Sequence, residues 1–212
     1  MKRRYKHTDE LRKQYAERAE EIRAVLGSYR AVPAEKYFYE LCFCLMTPQS
    51  SAANAFDAQK QLEALRFRET ETDPEEILRR GDFYIRFHKT KAKRLIRLKS
   101  MFEDVMSVIA NPKLSAFEKR EWLASQIDGL SYKEATHFLR NIGMNDGLAI
   151  LDVHILRCLV KHGVIGEMPP SLSKSRYLEI EASFQDFASS LSVSVDELDL
   201  VFWSAATGFI LK

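Results

Sequence analysis

The sequence predicts an all-α protein. Apolar residues recur at spacings of three and four through nearly every segment, and no stretch alternates apolar and polar long enough to make a strand. The breaks in that periodicity coincide with prolines, glycines and side chains that cap helix ends.

Taken in order, Leu11, Tyr15, Ala19, Ile22 and Leu26 form a first stripe, and Phe38, Leu41, Cys42 and Leu45 a second that Pro48 stops. Ala52, Ala55, Phe56, Gln59 and Leu62 resume after the break. Asp73-Pro74-Glu75-Glu76 reads as a helix start, with a capping Asp and a Pro in the first helical position. Ala92, Leu95, Ile96, Met101, Phe102, Val105 and Ile109 follow and end before Pro112. Ser115 with Glu118, and Ser194 with Glu197, have the spacing of capping boxes. Tyr177, Ile180, Phe184, Phe187 and Leu191 keep the helical step throughout. The total is about ten helices and little or no sheet.

The chain has 212 residues, 46% of them hydrophobic and 29% charged, the balance of a soluble globular protein. Eight Gly and six Pro exclude a collagen-like or low-complexity chain. No apolar run is long enough to span a bilayer, so no membrane partner is expected. The charged N-terminus lacks the apolar stretch of a signal peptide, and a cytoplasmic protein is expected. The cysteines, Cys42, Cys44 and Cys158, are too few for a disulfide framework and lie among apolar neighbours.

Net charge is only +2, but the charge is unevenly spread. Arg86, Lys89, Lys91, Lys93, Arg94, Arg97 and Lys99 form an acid-free run, and the first thirty residues hold nine basic residues against five acids. A local excess of this kind suits a polyanion, and it also suits a merely solvated helix face.

Residues 116–142 carry the most chemical information. A helix from Ser115 to about Ile127 is followed by Asp128-Gly129-Leu130-Ser131-Tyr132 and a second helix bearing Lys133, Ala135, Phe138, Leu139 and Ile142, with Gly143 at its C-terminal cap. Two helices joined by so short a turn with a central glycine make a helix-hairpin-helix, whose outward N–H groups can hold a phosphate without reading bases. The turn alone reads more readily as an ordinary helix connection. Lys133 starts the second helix, where the helix dipole works against a positive charge, and a lysine amine that sheds its proton is a nucleophile. Asp152, in Ile150-Leu151-Asp152-Val153-His154, stands among apolar residues at a helix start. It is a cap, a functional carboxylate, or both.

Ile-Asp-Gly-Leu-Ser-Tyr-Lys-Glu-Ala, followed 19 positions after Lys133 by Asp152, resembles the signature of the helix-hairpin-helix DNA glycosylase superfamily. The segment from Gly129 to Gly143 and the C-terminal run Glu197–Lys212 are similar to the second, archaeal and bacterial, family of 8-oxoguanine DNA glycosylase/AP lyases, over about Glu35–Lys212. The resemblance implies a two-domain fold with the active site in the interdomain cleft. Residues 30–145 would carry the hairpin, and 1–29 with 146–212 would form the second domain. It also implies Lys133 as the catalytic nucleophile and Asp152 as the catalytic carboxylate. Gly129, Leu130 and Ser131 would contact a DNA phosphate, Ser131 standing where the commoner pattern has a second glycine. Gln49, after Pro48, matches the place of a polar side chain that enters the duplex, and also suits a simple helix start after a proline. Phe87, a lone aromatic inside the basic run, suits a wedge beside the widowed base and equally a core aromatic at a loop end; Arg86, Lys89 and Lys91 would lie on the DNA backbone. The terminal Lys212 would help recognise the flipped base, where a solvated chain end is the alternative; Trp203 could stack on that base, although it shares its helix with Leu198, Val201 and Phe202, one of which must face inward.

The expected partner is therefore duplex DNA containing oxidised guanine, bound by a monomer. The implied lysine chemistry needs no metal or organic cofactor. Only Cys158 follows Asp152, so the four-cysteine iron–sulfur cluster of related glycosylases cannot be ligated, and the histidines show no ligand spacing. Two other readings remain compatible with these motifs: a glycosylase for another lesion, and a non-enzymatic module that only holds DNA.

Overall fold

The computed structural model describes residues 5–207. They form α1 (Thr8–Arg30), α2 (Tyr37–Met46), α3 (Ala52–Ala64), α4 (Pro74–Leu78), α5 (His88–Ile109), α6 (Ala116–Gln126), α7 (Tyr132–Asn141), α8 (Val153–Lys161), α9 (Lys174–Leu191) and α10 (Val195–Thr207). A single 3₁₀ turn, Ala34–Lys36, precedes α2, and no strand occurs among the described residues. No described helix is long and apolar enough to cross a membrane.

Capping chemistry sets most of the starts. The Ser51 hydroxyl accepts from the Asn54 N–H (3.1 Å) before α3, and Asp73 accepts from the Glu75 N–H (2.9 Å) with Pro74 in the first turn of α4. Ser115 and Glu118 satisfy each other's backbone N–H at α6, and Ser194 and Glu197 do the same at α10. Each such cap contributes about 1 kcal/mol.

Val32–Ile142 form one compact unit and the described residues on either side of it form the other. In the first unit, all ten residues of α2 are buried, because α3, α5 and α7 pack around it. Phe38 lies at its centre, with ring centroids 6.0 Å from Phe67 and 5.2 Å from Phe102. Burying each such side chain contributes roughly 1.5–3 kcal/mol. Glu40 is the one charged residue on α2. It is buried and accepts from Gln59 (3.1 Å) and Asn141 (3.2 Å), which ties α2 to α3 and α7. Two apolar positions depart from the expected stripes. Phe56 and Ile96 are 40% and 52% exposed, each one residue off the buried face of its helix. Phe56 instead lies under the Lys60 ammonium, 4.2 Å from the ring centroid.

In the second unit α1, α8 and α9 pack on α10. His162 is buried, its ring stacked on Phe187 and Phe202, and Nδ1 meets the Lys6 carbonyl at 2.9 Å. Burial pushes its pKa down, so the ring is held neutral. Gly143 is required by close approach as well as by its φ of +69°: a Cβ there would stand 2.6 Å from the Arg30 Cα.

Glu197 joins α10 to α1. One carboxylate oxygen accepts from the Tyr15 hydroxyl (2.7 Å) and Arg23 Nε (3.1 Å), and the other from Ser194 N–H (3.0 Å) and hydroxyl (2.8 Å). Burial opposes its charge, but these donors prevail and hold its pKa at about 2. The unfolded chain therefore binds a proton more readily than the folded one. The stabilisation, about 3 kcal/mol, is present above pH ~4.5 and lost as pH falls towards ~2. Glu197→Gln is expected to lower unfolding free energy at pH 7 by about 1–3 kcal/mol and to flatten its decline across that window. Guanidinium denaturation at several pH values measures both; an unchanged acid limb removes Glu197 as its source.

Candidate functional site

The hairpin is built by α6, the turn 127–131 and α7. Gly129 takes a φ of +91°, and Leu130 N–H closes the turn on the Ile127 carbonyl at 3.1 Å. The Leu130 side chain is buried, so only its backbone is left to face a ligand. A Cβ on Gly129 would stand 2.6 Å from Arg94 Cδ and Nε. Arg94, on α5, thus lies directly over the turn, where it pairs with Asp128 at 3.4 Å. Its Nε is buried with no hydrogen-bond partner among the described residues.

Ser131 caps α7 from extended backbone, which explains why a residue other than glycine fits there. The Glu134 carboxylate accepts from both its N–H (3.2 Å) and its hydroxyl. The other Glu134 oxygen meets the Lys133 amine at 3.2 Å. One buried carboxylate therefore closes the hairpin's cap and holds the amine beside it. Glu134 is absent from the sequence-predicted site, although its signal was available: Ser131-Tyr132-Lys133-Glu134 is a third capping-box spacing.

Asp152 caps α8. Its Oδ1 accepts from the His154 and Ile155 N–H groups, both at 2.8 Å, while Oδ2 has no hydrogen bond among the described residues. The stretch of chain leading to it is fixed by Tyr177, whose hydroxyl donates to the Ala149 carbonyl (2.6 Å) and accepts from Leu151 N–H (3.2 Å). Trp203 is half-buried and meets the His154 ring edge-on at 5.3 Å, which brings it to the first turn of α8. Its helix neighbours Leu198, Val201 and Phe202 are buried in the core. Lys212 lies outside the described residues.

Gln49 and Phe87 are both exposed, and both have left-handed backbone, with φ of +56° and +58°. Neither residue type favours that region, so the surrounding structure must impose it. Phe87 is 54% exposed, with the Arg86 guanidinium 5.5 Å from its ring centroid. Arg86 and Lys89 are exposed as well.

Lys91 is a correction. Expected among the backbone-contacting cations, it is 2% exposed, and its amine donates inward to the carbonyls of Met46 (2.6 Å) and Pro48 (2.7 Å) and to Ser50 Oγ (3.1 Å). The physical reason is that α2 ends with carbonyls that its own backbone leaves unpaired, and an ammonium there satisfies them and complements the helix dipole. Burial and the neighbouring Arg94 charge pull the amine's pKa down to about 8. The helical register contained the hint: Lys91 shares a face with Leu95 and Leu98, whereas Lys89 and Lys93 do not.

A glycine-turned hairpin between two helices, with no strand among the described residues, is the mark of the helix-hairpin-helix proteins. The profile of the 8-oxoguanine DNA glycosylase family matches residues 15–193. The 8-oxoguanine DNA glycosylase/AP lyase of Fusobacterium nucleatum is 41% identical over 179 residues, 82% of this chain and 81% of that protein. The Methanocaldococcus jannaschii protein of the same name is 36% identical over 87% of each chain. Among solved structures, the 8-oxoguanine DNA glycosylase of Thermotoga maritima superposes with a TM-score of 0.84 at 30% identity, over 97% of this chain and 100% of that one. The M. jannaschii glycosylase/lyase in complex with a 15mer DNA containing 8-oxoguanine gives a TM-score of 0.81 at 32% identity, over 95% and 99%. The chain belongs to the 8-oxoguanine DNA glycosylase family.

Proposed function

We propose that this chain excises 8-oxoguanine from duplex DNA and then cleaves the abasic strand. The observation that carries the reading is its match to 8-oxoguanine DNA glycosylase/AP lyases over more than four-fifths of both chains. Lys133 is the nucleophile. Its neutral amine attacks C1′ of the deoxyribose, the glycosidic bond breaks, and the base departs. Asp152 stabilises the positive charge that develops on the sugar and accepts a proton from the amine, with Oδ2 available for the task while Oδ1 caps α8. The adduct opens to a Schiff base, and loss of a C2′ proton expels the 3′ phosphate by β-elimination.

The hairpin backbone at Gly129–Ser131 holds a phosphate, with Arg94 beside it. Gln49 and Phe87 enter the duplex at the place the lesion leaves, a step that unstacks bases. Trp203 and Lys212 read the extruded base. Incubating the protein with duplexes containing 8-oxoguanine or guanine at one position, with borohydride present, tests the reading. A covalent adduct and a nicked strand are expected with the oxidised base; equal trapping of both duplexes, or of neither, rejects it.

Arg86, Lys89 and Lys93 are the exposed cations at the start of the basic run. Replacing Lys89 and Lys93 together by Gln is expected to weaken damaged and undamaged duplexes alike. The slope of log affinity against log salt should fall by up to about two units, one for each phosphate that a lysine no longer neutralises. An unchanged slope in salt titrations would move this face of α5 away from DNA.

A further inference from the structure

We infer that Lys91 and Ser50 are positioning residues that lock Gln49 and Phe87 together as one rigid element for entering the duplex; this rests on the reading of Gln49 and Phe87 given above. The turn holding Gln49 and the segment holding Phe87 are far apart in sequence, and each is irregular. One hydroxyl lies at the centre of the link between them. Ser50 Oγ accepts from the Arg86 backbone N–H at 3.0 Å and from the Lys91 amine at 3.1 Å. The same amine holds the carbonyls of Met46, the last residue of α2, and Pro48, inside the bend that follows it. The bend is closed by Ser50 N–H on the Thr47 carbonyl (3.0 Å), and a second tie joins the Asn54 side chain to the Tyr84 carbonyl (3.0 Å).

The bonds therefore bracket both residues. Pro48 and Ser50 are held on the two sides of Gln49, and Arg86 and Lys91 anchor the chain before and after Phe87. None of these hydrogen bonds falls on the Gln49 or Phe87 side chains, which stay exposed. That is the pattern of a device that orients a backbone and leaves the side chains for a ligand. It also accounts for two non-glycine residues with φ near +57°, a conformation that strains any residue with a Cβ and persists only where neighbours impose it. A lysine buried merely to fill space would leave its amine in search of a carboxylate. This one has three uncharged acceptors, all on the segment it organises.

The inference is tested with Lys91→Met and Ser50→Ala, with Gln49→Ala and Phe87→Ala alongside. Two single-turnover reactions are followed: excision of 8-oxoguanine from a duplex, and cleavage of a preformed abasic site in a single strand, which needs no entry into stacked bases. Lys91→Met is expected to slow duplex excision by about tenfold or more and Ser50→Ala by about threefold or more, with single-strand cleavage within about twofold of the parent, since small misplacements of a working group have effects of this size. Fluorescence of 2-aminopurine placed opposite the lesion should show base unstacking reduced in the same order. Parallel losses in both reactions reduce the clasp to ordinary folding support and overturn the inference. If Lys91→Met unfolds, Ser50→Ala, which removes only the shared hydroxyl, decides. Duplex excision unharmed in both clasp variants but slowed in Gln49→Ala or Phe87→Ala overturns the clasp alone. Unchanged excision in Gln49→Ala and Phe87→Ala sinks the reading of those two residues, and the clasp with it.

Discussion

Lys133→Gln is expected to abolish base excision and covalent trapping while leaving duplex affinity within a few-fold of the parent. The substitution removes the amine proposed to bond to the sugar, and it leaves the hairpin intact, because Glu134 closes the cap on Ser131 through its other oxygen. The phosphate-binding groups assigned to the turn are its backbone and Arg94, neither of which the change touches. Excision should fall by at least about 10³-fold, the usual loss when a covalent nucleophile is deleted. Single-turnover excision and borohydride trapping measure the first claim, and equilibrium binding to an 8-oxoguanine duplex measures the second. A borohydride-stable adduct formed by the variant would assign the chemistry to another amine.

Asp152→Asn is expected to slow excision by about 10²–10⁴-fold with little change in stability or binding. The reasoning separates two roles of one side chain. As a cap, Asp152 needs only an oxygen that accepts from His154 and Ile155, and the Asn carbonyl offers one. As a catalytic carboxylate it needs its negative charge, which Asn lacks. Asp152→Ala removes both roles and should in addition lower unfolding free energy by about 1 kcal/mol. A near-normal excision rate in Asp152→Asn would leave Asp152 as a helix cap and nothing more.

Much of this molecule is legible in its residues taken locally. The helices at Ser51, Asp73, Ser115, Asp152 and Ser194 start where a side-chain oxygen can accept from the next turn, and that chemistry extends over three residues. The hairpin is legible for the same reason, since Gly129 and the short turn around it are local. The basic run is less so. Seven cations in fourteen residues announce an excess of charge, but not which of them faces water. Charge alone puts Lys91 on the surface with Lys89, and the structure turns it inward.

The chain alone determined the all-α class, the hairpin and the Lys133–Asp152 interval, because each depends on residue types at short or fixed separations. Tertiary structure decided which groups those elements meet. The Met46 and Pro48 carbonyls, 45 and 43 residues away in sequence, attract the Lys91 amine only after α5 packs on α2. Arg94 covers Gly129 only because α5 also packs on α6. A buried ammonium is stable where unpaired carbonyls and a helix C-terminus compensate its lost hydration, and an exposed one binds phosphate because nothing compensates it but water. That difference lies in the surroundings of the lysine, which helix packing creates and residue type does not encode.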